Sequence, residues 1–253
     1  MTEPPRRALV TGGSRGIGRA VVAHLAGDGH AVVAAARSQD PLDRLAEEAT
    51  ARGWQVTPSV CDVTDEDAVH DLVAREGPFD IVVANAGLAR SAPLERTSRA
   101  DLEAHLAVNA VGVFTLLRTT VPAMRERGWG RAVVIASTAG VTGAPYTSAY
   151  TASKHAAVGL VRAISSEVAG TPVTANAVCP TFVDTDLTTV TLERIAATTG
   201  RTLDEARDAL LARVALGRLV TPAEVAAAVA YLCSDLAAPI NGQTLILDGG
   251  GSS

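Results

Sequence analysis

Short apolar runs rich in β-branched residues and alanine alternate along the chain with longer stretches whose apolar positions recur at helical spacing. RALVT (7–11), AVVAAA (31–36), QVTPSV (55–60), DIVVAN (80–85), RAVVIAS (131–137), PVTANAV (172–178) and TLILD (244–248) read as strands. Between them the spacing predicts helices over Ile17 to Ala26 and Pro41 to Ala51, one opening at Thr64, a long one running from about Arg99 to Arg125, and one from Ser148 to Ala169. A last helix, Thr221 to Cys233, is entered by T-P-A-E, with threonine as N-cap, proline at the first helical position and glutamate at the third. Strands that are almost wholly apolar and alternate with helices indicate a doubly wound parallel α/β sheet, about seven strands with helices on both faces. No linker or repeat divides residues 1–253, so one domain is expected. Residues 181 to 218 alone break the rhythm: they are helical without a strand partner, as a lid or substrate wall would be.

Composition narrows the partners. The 253 residues are 47% hydrophobic, enough for a sizeable core, and the formal net charge is −5. That balance offers no basic field for nucleic acid or an anionic membrane, and it points to a soluble, cytoplasmic protein with small-molecule or protein partners. Cys61, Cys179 and Cys233 are odd in number, with no C-x-x-C, which suits reduced buried thiols rather than disulfides. Five scattered histidines make no metal-ligand pattern, so no metal is expected. Of 22 basic residues, 21 are arginine; the single lysine is Lys154.

The first strand runs directly into TGGSRGIG (11–18). Glycines between a first strand and a first helix let a pyrophosphate approach the backbone at the positive end of the helix dipole. The spacing here is Gly12-x3-Gly16-x-Gly18, with Ser14, Arg15 and Ile17 between. After the second strand, where an acidic residue would hold an adenosine ribose hydroxyl, stand Arg37 and Ser38. A guanidinium there can bind a 2′-phosphate that a carboxylate would repel, and Arg15 supplies a second cation, so NADP(H) is the expected cofactor.

Tyr150 and Lys154 in YTASK lie one helical turn apart on one face. An ammonium about 5 Å from the phenol, at an effective dielectric near 20, is worth roughly 3 kcal/mol, which would bring the phenol to about 8. A phenol so poised is a competent proton donor and acceptor. Ser137 ends a strand thirteen residues earlier, where its hydroxyl would face the cleft and a substrate carbonyl oxygen. Asn109, inside the apolar segment HLAVNAVGVF, makes either a structural hydrogen bond across the core or a contact to a water leading to Lys154.

Taken in order, these residues resemble the short-chain dehydrogenase/reductase family along essentially the whole chain. Its TGxxxGIG stands at Thr11 to Gly18, its NAG at Asn85, Ala86 and Gly87, its helix asparagine at Asn109, its serine at Ser137 and its YxxxK at Tyr150 and Lys154. The resemblance implies a Rossmann-type domain in which Tyr150 is the acid/base, Ser137 orients the carbonyl, Lys154 tunes the tyrosine and binds the nicotinamide ribose, and Asn109 completes a water relay. It also places Asp62 and Val63 at the adenine, and Pro180, Val183 and Thr185 at the nicotinamide end. The family's Pro-Gly after the sixth strand is Pro180-Thr181 here, which narrows the space beside the carboxamide. Thr181, Phe182 and Leu187, with Ser137 and Tyr150, are the substrate-contacting candidates.

Within the family, RLVTPAEVAAAVAYLCS and INGQTLILDGG look most like bacterial 3-oxoacyl-thioester reductases. The activity implied is NADPH-dependent reduction of a 3-oxoacyl thioester or polyketide-like ketone. An alcohol dehydrogenase acting on a sugar, steroid, hydroxyacid or dihydrodiol is the alternative, and a non-catalytic NADP sensor a more distant one. Family members are commonly homotetramers packed through two long helices and the last strand, a role compatible with the apolar faces of 102–121 and 149–164; a dimer is the smaller option. Arg90, Arg96 and Arg99 are either solvated or contacts for an acidic carrier protein.

Overall fold

The computed structural model describes residues 4–251. Seven parallel strands form one sheet: β1 (Arg7–Thr11), β2 (Ala31–Ala36), β3 (Val56–Val60), β4 (Ile81–Ala84), β5 (Gly130–Ile135), β6 (Val173–Pro180) and β7 (Thr244–Leu247), in the order β3-β2-β1-β4-β5-β6-β7. Alternate residues of one strand point to opposite faces. In β1, Leu9 joins one core layer while Ala8 and Val10 join the other. Both layers are apolar because helices cover both faces, which is why the strands read as continuous hydrophobic runs.

One layer is closed by α3 (Glu66–Glu76), α5 (Gly112–Arg127) and α6 (Ser148–Glu167) through Leu72, Leu116, Leu117 and Val161. The other is closed by α1 (Gly16–Gly27), α2 (Gln39–Ala51) and α9 (Pro222–Cys233) through Val22, Leu45 and Val229. Arg99–Arg127 is long and apolar enough to cross a membrane, yet half of that apolar window is buried inside the domain, where it serves the core.

Two helix expectations need correction. The helix expected to open at Thr64 begins at Glu66, because the Asp65 side chain accepts the Ala68 N–H and caps it, while Thr64 folds back on Asp62. The stretch expected as one helix from Arg99 is three pieces: α4 (Arg99–Leu106), a π turn over Ala107–Val111 and then α5. The extra residue in that turn lets Gly112 N–H bond back to the Ala107 carbonyl and sets Asn109 facing inward.

Residues 181–218 leave the sheet. Their helices α7 (Asp186–Thr199) and α8 (Leu203–Leu211) share a small core of Leu192, Ala206, Leu210, Val214 and Leu219. The two ends of the excursion are zipped by a Val183–Val220 bridge, so it is a pinned flap rather than a loose loop.

The strand order reverses between β1 and β4, since the chain runs outward through β2 and β3 and then returns to β4. A cleft at the carboxyl ends of these strands is where such sheets bind ligands.

Candidate active site

The glycine loop is held in shape by protein groups before any ligand arrives. The Thr11 hydroxyl accepts the N–H groups of Asn85 and Ala86 at 3.1 and 3.2 Å, and Asn85 Nδ2 donates to the carbonyls of Thr11 and Gly12 at 2.9 and 3.1 Å. Gly12 sits at φ +63°, and a Cβ there would stand 2.8 Å from Asn85 Nδ2. On Gly18 a Cβ would come 2.1 Å from the Gly12 carbonyl oxygen, so only glycine lets the helix start close against the loop. No side chain caps α1 at Arg15, and its first turn has no acid, which leaves its N–H groups aimed at the cleft. Ser14 lies in the same loop, and Ile17 turns onto the core.

At the far end of the loop, Arg15, Arg37 and Ser38 are exposed. Asp62 accepts both the N–H and the hydroxyl of Thr64; these bonds hold its carboxyl below the usual range, with a smaller contribution from Arg37 across the strand ends. Val63 packs against Gly112. At the near end, the Thr185 methyl lies 3.2 Å from where a Cβ on Gly16 would be, which brings the base of the helical excursion over the glycine loop. Pro180 closes β6 and Val183 is buried. An uncapped helix end, a loop intolerant of side chains and two outlying guanidiniums form a donor set that fits a phosphorylated dinucleotide with a 2′-phosphate.

Ser137, Tyr150 and Lys154 meet at the carboxyl end of β5. The Ser137 hydroxyl accepts the Ala139 N–H at 3.1 Å and stands beside the Tyr150 phenol, whose ionisation it favours. Lys154 is buried, 5% exposed, and its Nζ lies 5.9 Å from the Tyr150 ring centroid and 3.8 Å from a Cβ built on Gly87.

The electrostatic expectation fails in sign at this pair. Burial pushes the Tyr150 phenol above its ordinary value; the Ser137 hydrogen bond pulls it down without winning, and the nearby Cys179 adds to the rise. The lysine charge does not offset this rise: Nζ donates to the Ile135 carbonyl at 2.8 Å, and burial holds Lys154 down to about 8. Two groups desolvated together raise the cost of charging either one.

For Asn109, the side chain takes the structural alternative. Its Oδ1 accepts the Leu88 N–H at 2.8 Å, and its Nδ2 donates to the Leu88 carbonyl at 2.8 Å and to Ser153 Oγ at 2.9 Å. Ser153 in turn donates to the Tyr150 carbonyl at 2.7 Å. The amide therefore clamps the segment after β4 to the helix that carries Tyr150, with both Nδ2 donors used.

His105 and Ser153, both fully buried, join the site without having stood out in the sequence. His105 Nε2 accepts the Arg90 N–H at 3.0 Å, Nδ1 lies 2.7 Å from the Asp101 carbonyl, and its ring meets the Tyr150 ring edge-on at 6.2 Å between centroids. A signal for the histidine was present: His105 and Asn109 are polar residues at i and i+4 within an apolar helix face.

The substrate candidates divide. Ser137 and Tyr150 come together, whereas Thr181, Phe182 and Leu187 sit at the base and first turn of the helical excursion. Phe182 and Leu187 are 39% and 48% exposed, while the Thr181 N–H continues the β6–β7 ladder to the Leu247 carbonyl. None of the three lines the cavity of about 370 Å³ on the other flank of Tyr150.

Residues 6–195 match the short chain dehydrogenase family. A 3-oxoacyl-[acyl-carrier-protein] reductase of Thermotoga maritima is 35% identical over 246 residues, covering 96% of each chain. Among solved structures, a single-site variant of actinorhodin polyketide ketoreductase with NADPH superposes with a TM-score of 0.93 at 36% identity, covering 98% of both chains. Levodione reductase does so with a TM-score of 0.90 at 30% identity, covering 98% of this chain and 97% of its own.

Proposed function

Because the chain belongs to the short-chain dehydrogenase family, we propose that it is an NADPH-dependent ketoreductase. Its substrate is a 3-oxoacyl or polyketide-like carbonyl compound, and Tyr150 is the proton donor. The observation that carries this reading is the meeting of Ser137, Tyr150 and Lys154 at the carboxyl end of β5, set against a glycine loop that admits no side chain. The fit to a cofactor with a 2′-phosphate rests on Arg15, Arg37 and Ser38, and on the NADPH of the actinorhodin ketoreductase structure.

NADPH, when bound, supplies the hydride. Gly12, Ser14, Gly16, Ile17 and Gly18 would hold its pyrophosphate, Asp62 and Val63 the adenine, and Asn85 to Gly87 with Pro180, Val183 and Thr185 the nicotinamide end. Tyr150, kept protonated by its buried setting, gives its proton to the substrate oxygen. The Ser137 hydroxyl donates a second hydrogen bond to that oxygen and orients it. Lys154, at about 8, carries an ammonium at neutral pH that would bond the ribose of the nicotinamide half. Asn109 and Ser153 keep the Tyr150 helix in register with the segment after β4.

Phe182, Leu187 and Val190 leave apolar surface uncovered on the helical excursion, which suits it as the lid over an acyl chain. Uncovered Val111 of the π turn and Phe114 of α5 support packing into a tetramer or dimer, and the reading assigns the protein to the cytoplasm.

The test is NADPH consumption with acetoacetyl thioesters and a panel of ketones. Tyr150→Phe should lose about 10²- to 10⁴-fold in kcat while still quenching or shifting NADPH fluorescence on binding. A wild-type protein that reduces no member of the panel overturns the reading.

A further inference from the structure

The cavity of about 370 Å³ beside Tyr150 is walled by Arg90, Ser91, Ala92 and Thr97 after β4, by Asp101 and His105 of α4, by residues 146–149 leading into Tyr150, and by Arg194 of α7. Its walls are fixed. Arg90 is tied through its N–H to His105, whose two ring nitrogens are both engaged and whose ring abuts Tyr150. Ala92 N–H bonds the Tyr146 carbonyl at 2.9 Å, and Tyr146 is held at φ +66°, a left-handed conformation that a tyrosine avoids unless its surroundings impose it. Backbone strain of this kind gathers where a site is being shaped.

The charges on these walls are unequal. Arg194 uses one N–H on the Ser91 carbonyl at 2.7 Å, which pins its guanidinium at the cavity and leaves its other donors. The Asp101 carboxylate faces its own helix cap, accepting the Ser98 N–H at 3.0 Å and hydroxyl at 2.7 Å. Those two bonds hold its carboxyl below the ordinary range, with a smaller contribution from the Arg90 charge, so Arg90 also stands at this wall. Two guanidiniums therefore oppose one carboxylate already spent on hydrogen bonds.

We propose that this cavity is an oxyanion subsite in which Arg90 and Arg194 bind the carboxylate of a compact oxo acid whose carbonyl lies at Tyr150. The proposal rests on the ketoreductase reading and narrows its substrate class. Two features argue for a compact ligand. The cavity holds about a dozen water volumes, room for a short chain ending in a carboxylate. His105 itself lines the cavity and its ring meets that of Tyr150 at 6.2 Å between centroids, which sets the anion site close to the reacting carbonyl.

Matched substrates decide the matter. Wild-type kcat and KM are measured for a free oxo acid against its methyl ester, and for a 3-oxoacyl-coenzyme A against the N-acetylcysteamine thioester of the same acyl group. The acid should win over its ester chiefly through KM. In the Arg90→Gln/Arg194→Gln double variant that acid-to-ester ratio should fall about tenfold or more. Arg99→Gln, whose side chain is 90% exposed outside the cavity, should keep it. Succinate, which cannot be reduced, gives a readout without turnover: calorimetry should show it binding to the wild type and lost in the double variant.

Equal use of acid and ester by an active wild type overturns the subsite and leaves the ketoreductase reading standing. A preference for the coenzyme A thioester alone places the recognised anion at a distant phosphate and overturns the compact oxo acid. If no carbonyl compound is reduced, the ketoreductase reading falls, and the succinate titration by itself supports or overturns the anion site.

Discussion

Tyr150 and Lys154 show how burial can reverse an argument made from spacing. One helical turn brings the two side chains together, but the ammonium is bonded to the Ile135 carbonyl and both groups share a desolvated site. The free protein should therefore hold Tyr150 as a neutral phenol well into alkali. Subtracting the alkaline ultraviolet titration of Tyr150→Phe from that of wild type should place this phenol above its ordinary value; a midpoint below it would mean that the lysine charge outweighs burial after all.

Lys154 carries a stability consequence. Its folded value, about 8, lies below the ordinary 10.5, so between the two the unfolded chain binds more protons and stability rises with pH. Below 8 the folded protein bears the full cost of the buried charge. Lys154→Met should then be more stable than wild type at pH 7 by about 2 kcal/mol, once the lost Ile135 hydrogen bond is set against the relieved desolvation. The gap should shrink as pH rises from 8 towards 10.5, and activity should be lost. Chemical denaturation at several pH values checks this.

Among the elements, the π turn between α4 and α5 matters most for the site. An unbroken α-helix would rotate the residues beyond it by a fraction of a turn and carry Asn109 away from Leu88 and Ser153. Replacing Asn109 with alanine strands buried partners at Leu88 and Ser153 and should cost about 2–4 kcal/mol in denaturant unfolding. The element is thus a structural clamp, and a variant as stable as wild type would refute that role.

For the whole molecule, the sheet order puts the glycine loop, the Asn85–Gly87 turn and the Ser137 strand end along one edge, so cofactor binding should tie both halves of the sheet together. NADPH at a hundred times its Kd stabilises by about 2.7 kcal/mol, equivalent to a rise in Tm of roughly 5–10 °C for a domain of this size. NADH at the same concentration should give a clearly smaller rise. Arg37→Asp should reverse that order, with a change in NADPH affinity of about tenfold to a hundredfold; an unchanged order in a thermal shift series would remove Arg37 from the 2′-phosphate site.

Much of this architecture is local enough to be written in the chain. Apolar runs of strand length, the T-P-A-E cap, the glycine spacing and the Tyr150–Lys154 pair depend on neighbours a few residues away, and periodicity reports such neighbours directly. What folding alone decided depends on groups brought in from afar: the Ile135 carbonyl that accepts a hydrogen bond from the Lys154 ammonium, the Leu88 backbone that occupies Asn109, and the cavity formed where Arg90, Tyr146 and Arg194 converge. Hydrogen bonding and desolvation are settled by whatever surrounds a group in three dimensions. Side-chain type and spacing therefore determined which residues would gather, and tertiary packing decided how each of them is charged and bonded.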